Sequence, residues 1–453
     1  MNILHYSLGF PPYRTGGMTK YCMDLIEEQL NMGNDVSLLW PGRIIDYSSN
    51  IDIRQNKKYK IKKDMFCNNF EIINPLPVPL LDGIKDINQF TEPKKIDKFV
   101  KLFETRKFDV IHVHTLMGLP KELLLAAKEM KIKLVYTAHD YFGLCTRGTF
   151  IFQDNICKEY NNCTYCAQCN ENALSLGKIK IMQSHIYKNL KNIKIMKILR
   201  KKQRKFLKKN EEITKGLKLN CNEEDTKMYI ILRKYYLSLL ELFDIIHFNS
   251  SVTKEKYSKF IDVEKKGEII SISHGSIKDN KHRKSVSDVI RFSYLASCTK
   301  QKGIYLLKDT LDLLYKKYPN TFILNVYTNC LFEAPYLRKH DKYSYSELEN
   351  VLNDSDLVIV PSMSETFGFT VLESLSYAVP VIVSTKTGAK DIVEDSKSGF
   401  IVDLNTKSIA EKLEKLIINK KYIEEMNKYI IDNVKIKEMK EHCKEMINLY
   451  NKI

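Results

Sequence analysis

The chain has 453 residues, enough for two domains that each bury a core. A composition of 44% hydrophobic and 28% charged residues excludes a disordered chain, and no run of eighteen apolar residues offers a spanning helix. The net charge of +17 points to an anionic partner: a phosphorylated ligand, a phospholipid surface or nucleic acid.

In chain order, the opening MNILHYSLGF lacks the basic leader and long apolar run of a signal peptide, so a cytoplasmic location is expected. Short apolar runs then recur, each ending in small or polar residues: NILHYS, VSLLW, VIHVHT, LVYTAHD, IIHFNS and EIISISHG. A second set follows: IRFSYLAS, FILNVYT, LVIVPS and PVIVST. Runs this short and rich in β-branched residues predict buried parallel strands. Helical stretches such as TKYCMDLIEEQLNMG and KELLLAAKEM lie between many of them. The alternation predicts an α/β protein with two doubly wound, Rossmann-like domains. Residues 1–275 form the first, the polar stretch 276–288 is the linker, and residues 289–430 form the second. Residues 431–453 predict a terminal helix packing back on the first domain. Residues 145–240 break the rhythm and are expected to be an insertion.

In open α/β sheets, ligands bind beyond the C-terminal ends of the strands. Gly16 and Gly17 follow the first strand and precede a helix, where freed amides can approach a phosphate; paired glycines also serve plain turns. His139 and Asp140 end the strand LVYTA, at the ligand-binding edge. His112 and His114, inside IHVHT, read as structural. Glu365 and Glu373 stand eight residues apart around TFG, with Gly368 at a helix start. Amides at that helix start suit an anion, and carboxylates accept hydrogen bonds from sugar hydroxyls, a combination that suits a nucleotide-sugar.

The pieces YRTGGMTKYCMDL, HVHTLMGLP, TAHDYFGLCTRGTF, ISHGSI, TKQKGIYLL and DSDLVIVPSMSETFGFTVLESLSYAVPVIVST, in this order, resemble glycosyltransferase family 4. The resemblance covers nearly the whole chain. It implies the GT-B architecture, two Rossmann-like domains facing across a cleft, and transfer of a sugar with retention of configuration. The donor would be a nucleotide-sugar, UDP- or GDP-linked, and the acceptor a cell-envelope, polysaccharide or lipid-linked sugar. It implies that Glu365 holds donor-sugar hydroxyls, Glu373 the ribose, and Lys302 the diphosphate. Amides at Gly368, Phe369 and Thr370 would bind phosphate and sugar, Gly16 and Gly17 would lie against the phosphates, and His139 would sit near the anomeric carbon. No catalytic metal is implied.

The chain departs from the family pattern in places. Ala296 and Ser297 replace the usual Gly-Arg pair, Tyr327 a glycine, and Tyr377-Ala378 a small pair. Loss of the arginine keeps a second reading open: a catalytically weak member acting as a binding or scaffold subunit in envelope polysaccharide assembly.

Five of eleven cysteines fall between Cys145 and Cys169. Cys157, Cys163, Cys166 and Cys169, spaced C-x5-C-x2-C-x2-C, could supply four thiolates to a structural zinc, or to an iron–sulfur cluster. A subset of family 4 resembles this chain in carrying a cysteine-rich insertion here. Residues 178–209 hold thirteen Lys or Arg and no acid. Apolar residues at helical steps make this a basic amphipathic helix, suited either to an anionic membrane surface or to packing on the domain. Peripheral attachment to the inner face of the cell membrane is the corresponding expectation. No nucleic-acid recognition motif is present, and no such partner is expected.

Overall fold

A computed structural model describes residues 1–45, 50–62, 64–80, 83–158, 161–190, 193 and 223–453. The chain divides into two compact units. The first comprises Met1–His247, Lys256–Glu268 and Met446–Ile453, and the second Phe248–Glu255 and Ile269–Glu445.

The first sheet contains β1 (Asn2–Tyr6), β2 (Asp35–Pro41), β3 (Asp52–Lys62), β4 (Met65–Ile73), β5 (Val110–Val113) and β6 (Lys133–Ala138). A two-stranded ribbon follows, β7 (Ile151–Phe152) with β8 (Asn155–Ile156), before β9 (Ile245–Phe248) and β10 (Gly267–Ile269) complete the sheet. Its order is β10-β9-β6-β5-β1-β2-β4-β3. β1 pairs in parallel with both β2 and β5, so the winding reverses direction beside β1. The helix Gly17–Asn31 buries Tyr21, Cys22, Leu25, Ile26 and Gln29, one face at three- and four-residue steps.

The second sheet has β11 (Ile290–Tyr294), β12 (Phe322–Val326), β13 (Leu337–Lys339), β14 (Leu357–Val360), β15 (Val381–Ser384) and β16 (Gly399–Val402), in the order β13-β12-β11-β14-β15-β16. All five of its pairings are parallel, and β11 lies between β12 and β14. Phe292, Leu324, Ile359 and Ile382 form its buried centre. Leu307 and Leu311 of helix Ile304–Lys317 and Leu413 and Leu416 of helix Thr406–Ile418 join the same core. Continuous apolar strands covered by amphipathic helices are what a parallel sheet requires.

Several expectations need correction. β3 and β4 form an antiparallel edge that the apolar-run pattern did not reveal. β3 has no buried residue and carries four lysines, and such polar edges resist pairing with other chains. The strand expected from EIISISHG stops at Ile269. Residues 276–288 are not a linker between the units but lie within the second. Asn280 N–H donates to Ser376 O at 2.8 Å, and Asn427 binds both Lys284 N–H and His282 O, so polar residues here supply docking bonds. The terminal helix is split into Lys421–Asn433 and Met439–Asn451, and only Met446–Ile453 belongs with the first unit.

Residues 145–240 lie between β6 and β9, and the described ones add no strand to either main sheet. They hold the β7–β8 ribbon and the helices Cys166–Cys169, Leu176–Gln183, His185–Leu190 and Glu223–Leu240. The last buries Leu232, Tyr236, Leu239 and Leu240. Of the basic segment 178–209, residues 191–192 and 194–209 lie outside the described residues. The described part is two short helices separated at Ser184. No helix among the described residues is long and apolar enough to cross a membrane.

Candidate functional site

In the second unit, chemistry gathers beyond the ends of β11 and β14, the two strands flanking the reversal of the winding. After β11, Lys300–Lys302 form one 3-10 turn ended by Gly303, whose φ of 78° is left-handed. A Cβ on Gly303 would stand 1.9 Å from the carbonyl oxygen of Pro361, at the end of β14. Only glycine lets the two loops approach this closely. Met363 N–H donates to Gln301 O at 2.8 Å and ties the loops together. Tyr294, at the end of β11, donates its hydroxyl to the carbonyls of Ser297 and Lys302, at 2.8 and 3.2 Å. That bond braces the loop in which Ser297 replaces arginine.

The result is a direct ion pair between Lys302 Nζ and Glu365 Oε2. Both side chains keep about a quarter of their exposure, 26% and 24%. Glu365 is held by its own backbone: its N–H donates to Lys386 O, and its carbonyl accepts from Gly388 N–H. Gly368, at φ 99°, turns the chain into the helix Phe369–Leu375. Phe369 and Thr370 open that helix, so their amides are among those without an intrahelical acceptor.

Glu373 lies inside the helix and is buried. Its Oε1 is 3.1 Å from His274 Nε2, and His274 is fully buried with its ring edge-on to Phe369 at 4.9 Å. Sequence reasoning quoted ISHGSI as a motif but missed that its histidine pairs with Glu373. The eight-residue spacing therefore separates a half-buried carboxylate from a buried one, and the two are not equivalent.

In the first unit, Gly16 (φ 122°) caps the helix Gly17–Asn31; both glycines are exposed, and the first turn carries no acid. His139 follows β6 and is half-buried, edge-on to Tyr21 at 4.7 Å. Its Nε2 is 3.3 Å from His114 Nδ1. Asp140 accepts from Phe142 N–H at 2.8 Å, yet burial raises its carboxyl to about 6.

The structure brings the five cysteines of the cluster close together. Cys145, Cys157, Cys166 and Cys169 line one cavity with Phe150, Tyr165 and Arg233. Cys163 lines a second cavity, which Cys166 also borders, and the two thiols are hydrogen-bonded to each other. No disulfide joins the ten described cysteines. Among the described residues, three ligand atoms come within 4.8 Å of one another at only one place: His5, Cys22 and His114. Both imidazoles there already use both ring nitrogens in hydrogen bonds, so that trio has no imidazole nitrogen to spare for a metal.

Two doubly wound, largely parallel sheets in one chain are the architecture of GT-B glycosyltransferases, and known proteins agree. Residues 15–161 match the model of Glycosyltransferase Family 4, and residues 339–435 that of Glycosyl transferases group 1. The chain belongs to glycosyltransferase family 4. It is 30% identical over 150 residues to the capsular polysaccharide biosynthesis glycosyltransferase CapM of Staphylococcus aureus, and 26% identical over 141 residues to an uncharacterized glycosyltransferase of Methanocaldococcus jannaschii. These matches take in 31% and 28% of this chain, and span 40% and 38% of the relatives' own lengths. Among solved structures, HepE of Anabaena, in complex with UDP and glucose, covers 100% of both chains with a TM-score of 0.57 at 12% identity. Sucrose-phosphate synthase of Thermosynechococcus elongatus covers 100% of this chain and 98% of its own, with a TM-score of 0.58 at 12% identity. These likenesses concern the fold.

Proposed function

We propose that this protein transfers a sugar from a UDP- or GDP-sugar to a capsular or other cell-envelope acceptor, lipid-linked acceptors included, with retention of configuration. The Lys302–Glu365 pair beside Gly368 carries the reading. Lys302 binds the diphosphate, where negative charge grows as the donor bond breaks. Glu365, released from Lys302, accepts hydrogen bonds from hydroxyls of the donor sugar. Glu373, oriented by His274, offers its second oxygen to the ribose. The amides of Gly368, Phe369 and Thr370, and those at Gly16 and Gly17, take phosphate and sugar oxygens. His139 stands near the anomeric carbon. No step in this scheme runs through a metal. The full chain is tested with a panel of intact UDP- and GDP-sugars and lipid-linked acceptors, reading product and released nucleotide by mass spectrometry. Nucleotide binding without turnover of any donor would favour the scaffold reading instead.

Two further roles belong to this proposal. The clustering of Cys145, Cys157, Cys163, Cys166 and Cys169 around two neighbouring cavities supports a structural zinc held by four of these five thiolates. Tetrahedral zinc thiolates sit about 4 Å apart, so the four sulfurs must draw in around the ion. Attachment to an anionic membrane is supported by Ile181, Ile186, Leu190 and Ile193 of the basic segment, which are 63%, 73%, 41% and 47% exposed. Exposed apolar side chains among lysines enter a lipid interface while the lysines meet the headgroups. Vesicle flotation with anionic and neutral lipid tests this, and equal recovery from both would exclude it.

A further inference from the structure

Two arginines of the first unit stand without an acidic partner beyond the C-terminal ends of neighbouring strands. Arg14 lies in the loop after β1 and Arg43 two residues after β2, and these strands pair in parallel. Arg14 stacks on the Tyr13 ring, 4.6 Å from its centroid, and donates to the Tyr13 hydroxyl at 3.3 Å. Tyr13 in turn packs at 5.8 Å against Trp40 of β2, three residues before Arg43. The backbone N–H of Arg43 donates to one carboxylate oxygen of buried Glu71 at 3.3 Å, and Asn56 donates to the other at 3.3 Å. Burial raises the Tyr13 phenol, and Arg14, Glu71 and the Tyr187 phenol also act on it, so these groups surround one spot. Both arginines are half-buried, and among the described residues no carboxylate pairs with either guanidinium. In each, Nε is shielded from water and has no hydrogen-bond partner. A cation partly stripped of water and left unpaired is unfavourable, and an anion relieves that. Arginine suits phosphate in particular, because two of its N–H groups can meet two oxygens side by side.

The basic insertion is fastened at the same place. Gln183, at the end of helix Leu176–Gln183, is buried; its Nε2 donates to Gly42 O at 2.9 Å, and its Oε1 accepts from Val78 N–H at 2.9 Å. Gly42 directly precedes Arg43, and a Cβ there would stand 2.1 Å from the Glu71 side chain, so only glycine lets the loop lie against that carboxylate. The next helix, His185–Leu190, carries Tyr187 to the Tyr13 phenol. The same helix exposes Ile186 and Leu190 to solvent. Exposed apolar side chains and two unmatched cations therefore share one end of the first sheet. Arginines alone would suit any small anion. Arginines beside apolar side chains suit an anion with a hydrocarbon chain attached.

We propose that Arg14 and Arg43 bind the phosphate of an acceptor whose sugar is joined to a lipid through a phosphate or diphosphate. That the bound molecule is an acceptor rests on the sugar-transfer reading; the anion site itself does not. The test uses the full chain and geranyl diphosphate as the probe, with geraniol and inorganic pyrophosphate beside it. Isothermal titration is run with UDP and GDP in excess, so that donor phosphate sites are already filled. Geranyl diphosphate should bind and geraniol should not, and pyrophosphate should bind about tenfold more weakly for want of apolar contact. Arg14→Gln and Arg43→Gln should each weaken the probe about tenfold or more, as loss of a charge-assisted contact does. Arg43→Lys should recover only part of that, because an ammonium cannot meet two oxygens side by side. Urea unfolding confirms that each variant is folded. Unchanged affinity in both Gln variants would overturn the proposal, as would a probe that binds only when nucleotide is left out. Pyrophosphate binding as tightly as the probe would assign the site to free phosphate and overturn the lipid-linked acceptor. Flotation with vesicles of equal parts phosphatidylcholine and phosphatidylglycerol separates a substrate phosphate from bulk headgroups. Recovery should be the same for wild type and both Gln variants; lost recovery with probe affinity intact would overturn the proposal. Probe binding through both arginines in a protein that transfers no sugar would uphold the anion site and refute the transfer reading.

Discussion

Lys302 and Glu365 make opposite predictions for nucleotide binding and for transfer. In the free protein they neutralise each other, and each retains about a quarter of its exposure. A pair that open to water contributes only about 0–1 kcal/mol. A diphosphate offers Lys302 a charge-assisted contact worth roughly 1.5–3 kcal/mol, so the lysine exchanges one partner for a better one. Lys302→Ala should therefore weaken UDP or GDP binding about 10- to 150-fold. Glu365→Gln should do the reverse. It frees Lys302 and tightens the nucleoside diphosphate by up to about fivefold, the equivalent of roughly 1 kcal/mol. Transfer should nonetheless fall in both variants, because an amide at 365 accepts less strongly from the donor sugar. Isothermal titration with UDP and GDP at two salt concentrations, beside turnover of the matching nucleotide-sugar, separates the two effects. Equal loss of nucleotide affinity in both variants would refute the assignment of phosphate to Lys302 and sugar to Glu365.

Gly303→Ala adds a Cβ 1.9 Å from Pro361 O at a φ of 78°, so strain and overpacking combine to about 2–5 kcal/mol, readable by urea unfolding of the full chain. An unchanged midpoint would show that the Lys302 turn does not rest on the end of β14. Asp140 titrates near 6 in the folded protein against an ordinary 3.8, so between these pH values the folded state holds a proton that the unfolded state has released. Stability contributed by this group is thus lost as pH rises from about 4 to 6, on the order of 2–3 kcal/mol. Asp140→Asn should flatten that part of the stability–pH curve relative to wild type, and parallel curves would count against it. Elemental analysis of anaerobically prepared protein should find about one zinc per chain, lost in Cys166→Ser; full retention in that variant would refute the cysteine site.

Much of the fold was legible because parallel strands are uniformly apolar and end in polar residues. VIHVHT, LVIVPS and PVIVST announce themselves in this way. β3 did not, because its residues face solvent and its lysine-rich pattern reads as a loop. The stretch 276–288 is polar, as a linker should be, but its polarity serves hydrogen bonds to Asn427 and Ser376 within one unit. In the site, Lys302, Glu365 and Gly368 were readable as local motifs. The Glu373–His274 pair spans 99 residues, and local spacing cannot reveal it. Ala378 adopts a left-handed φ of 56°, which explains why a small residue is expected there but not why this chain uses alanine instead of glycine.

The histidines show the limit of reading residues singly. His112 and His114 fit the structural role expected of buried histidines, and His139 the functional role expected of a strand end. Their hydrogen bonds make that division artificial. A buried imidazole without a partner costs on the order of 1–3 kcal/mol. Neutral apolar side chains would fill the same space without that risk. Four fully buried imidazoles are stable here because Gln29, Thr137 and Tyr450 complete their bonds.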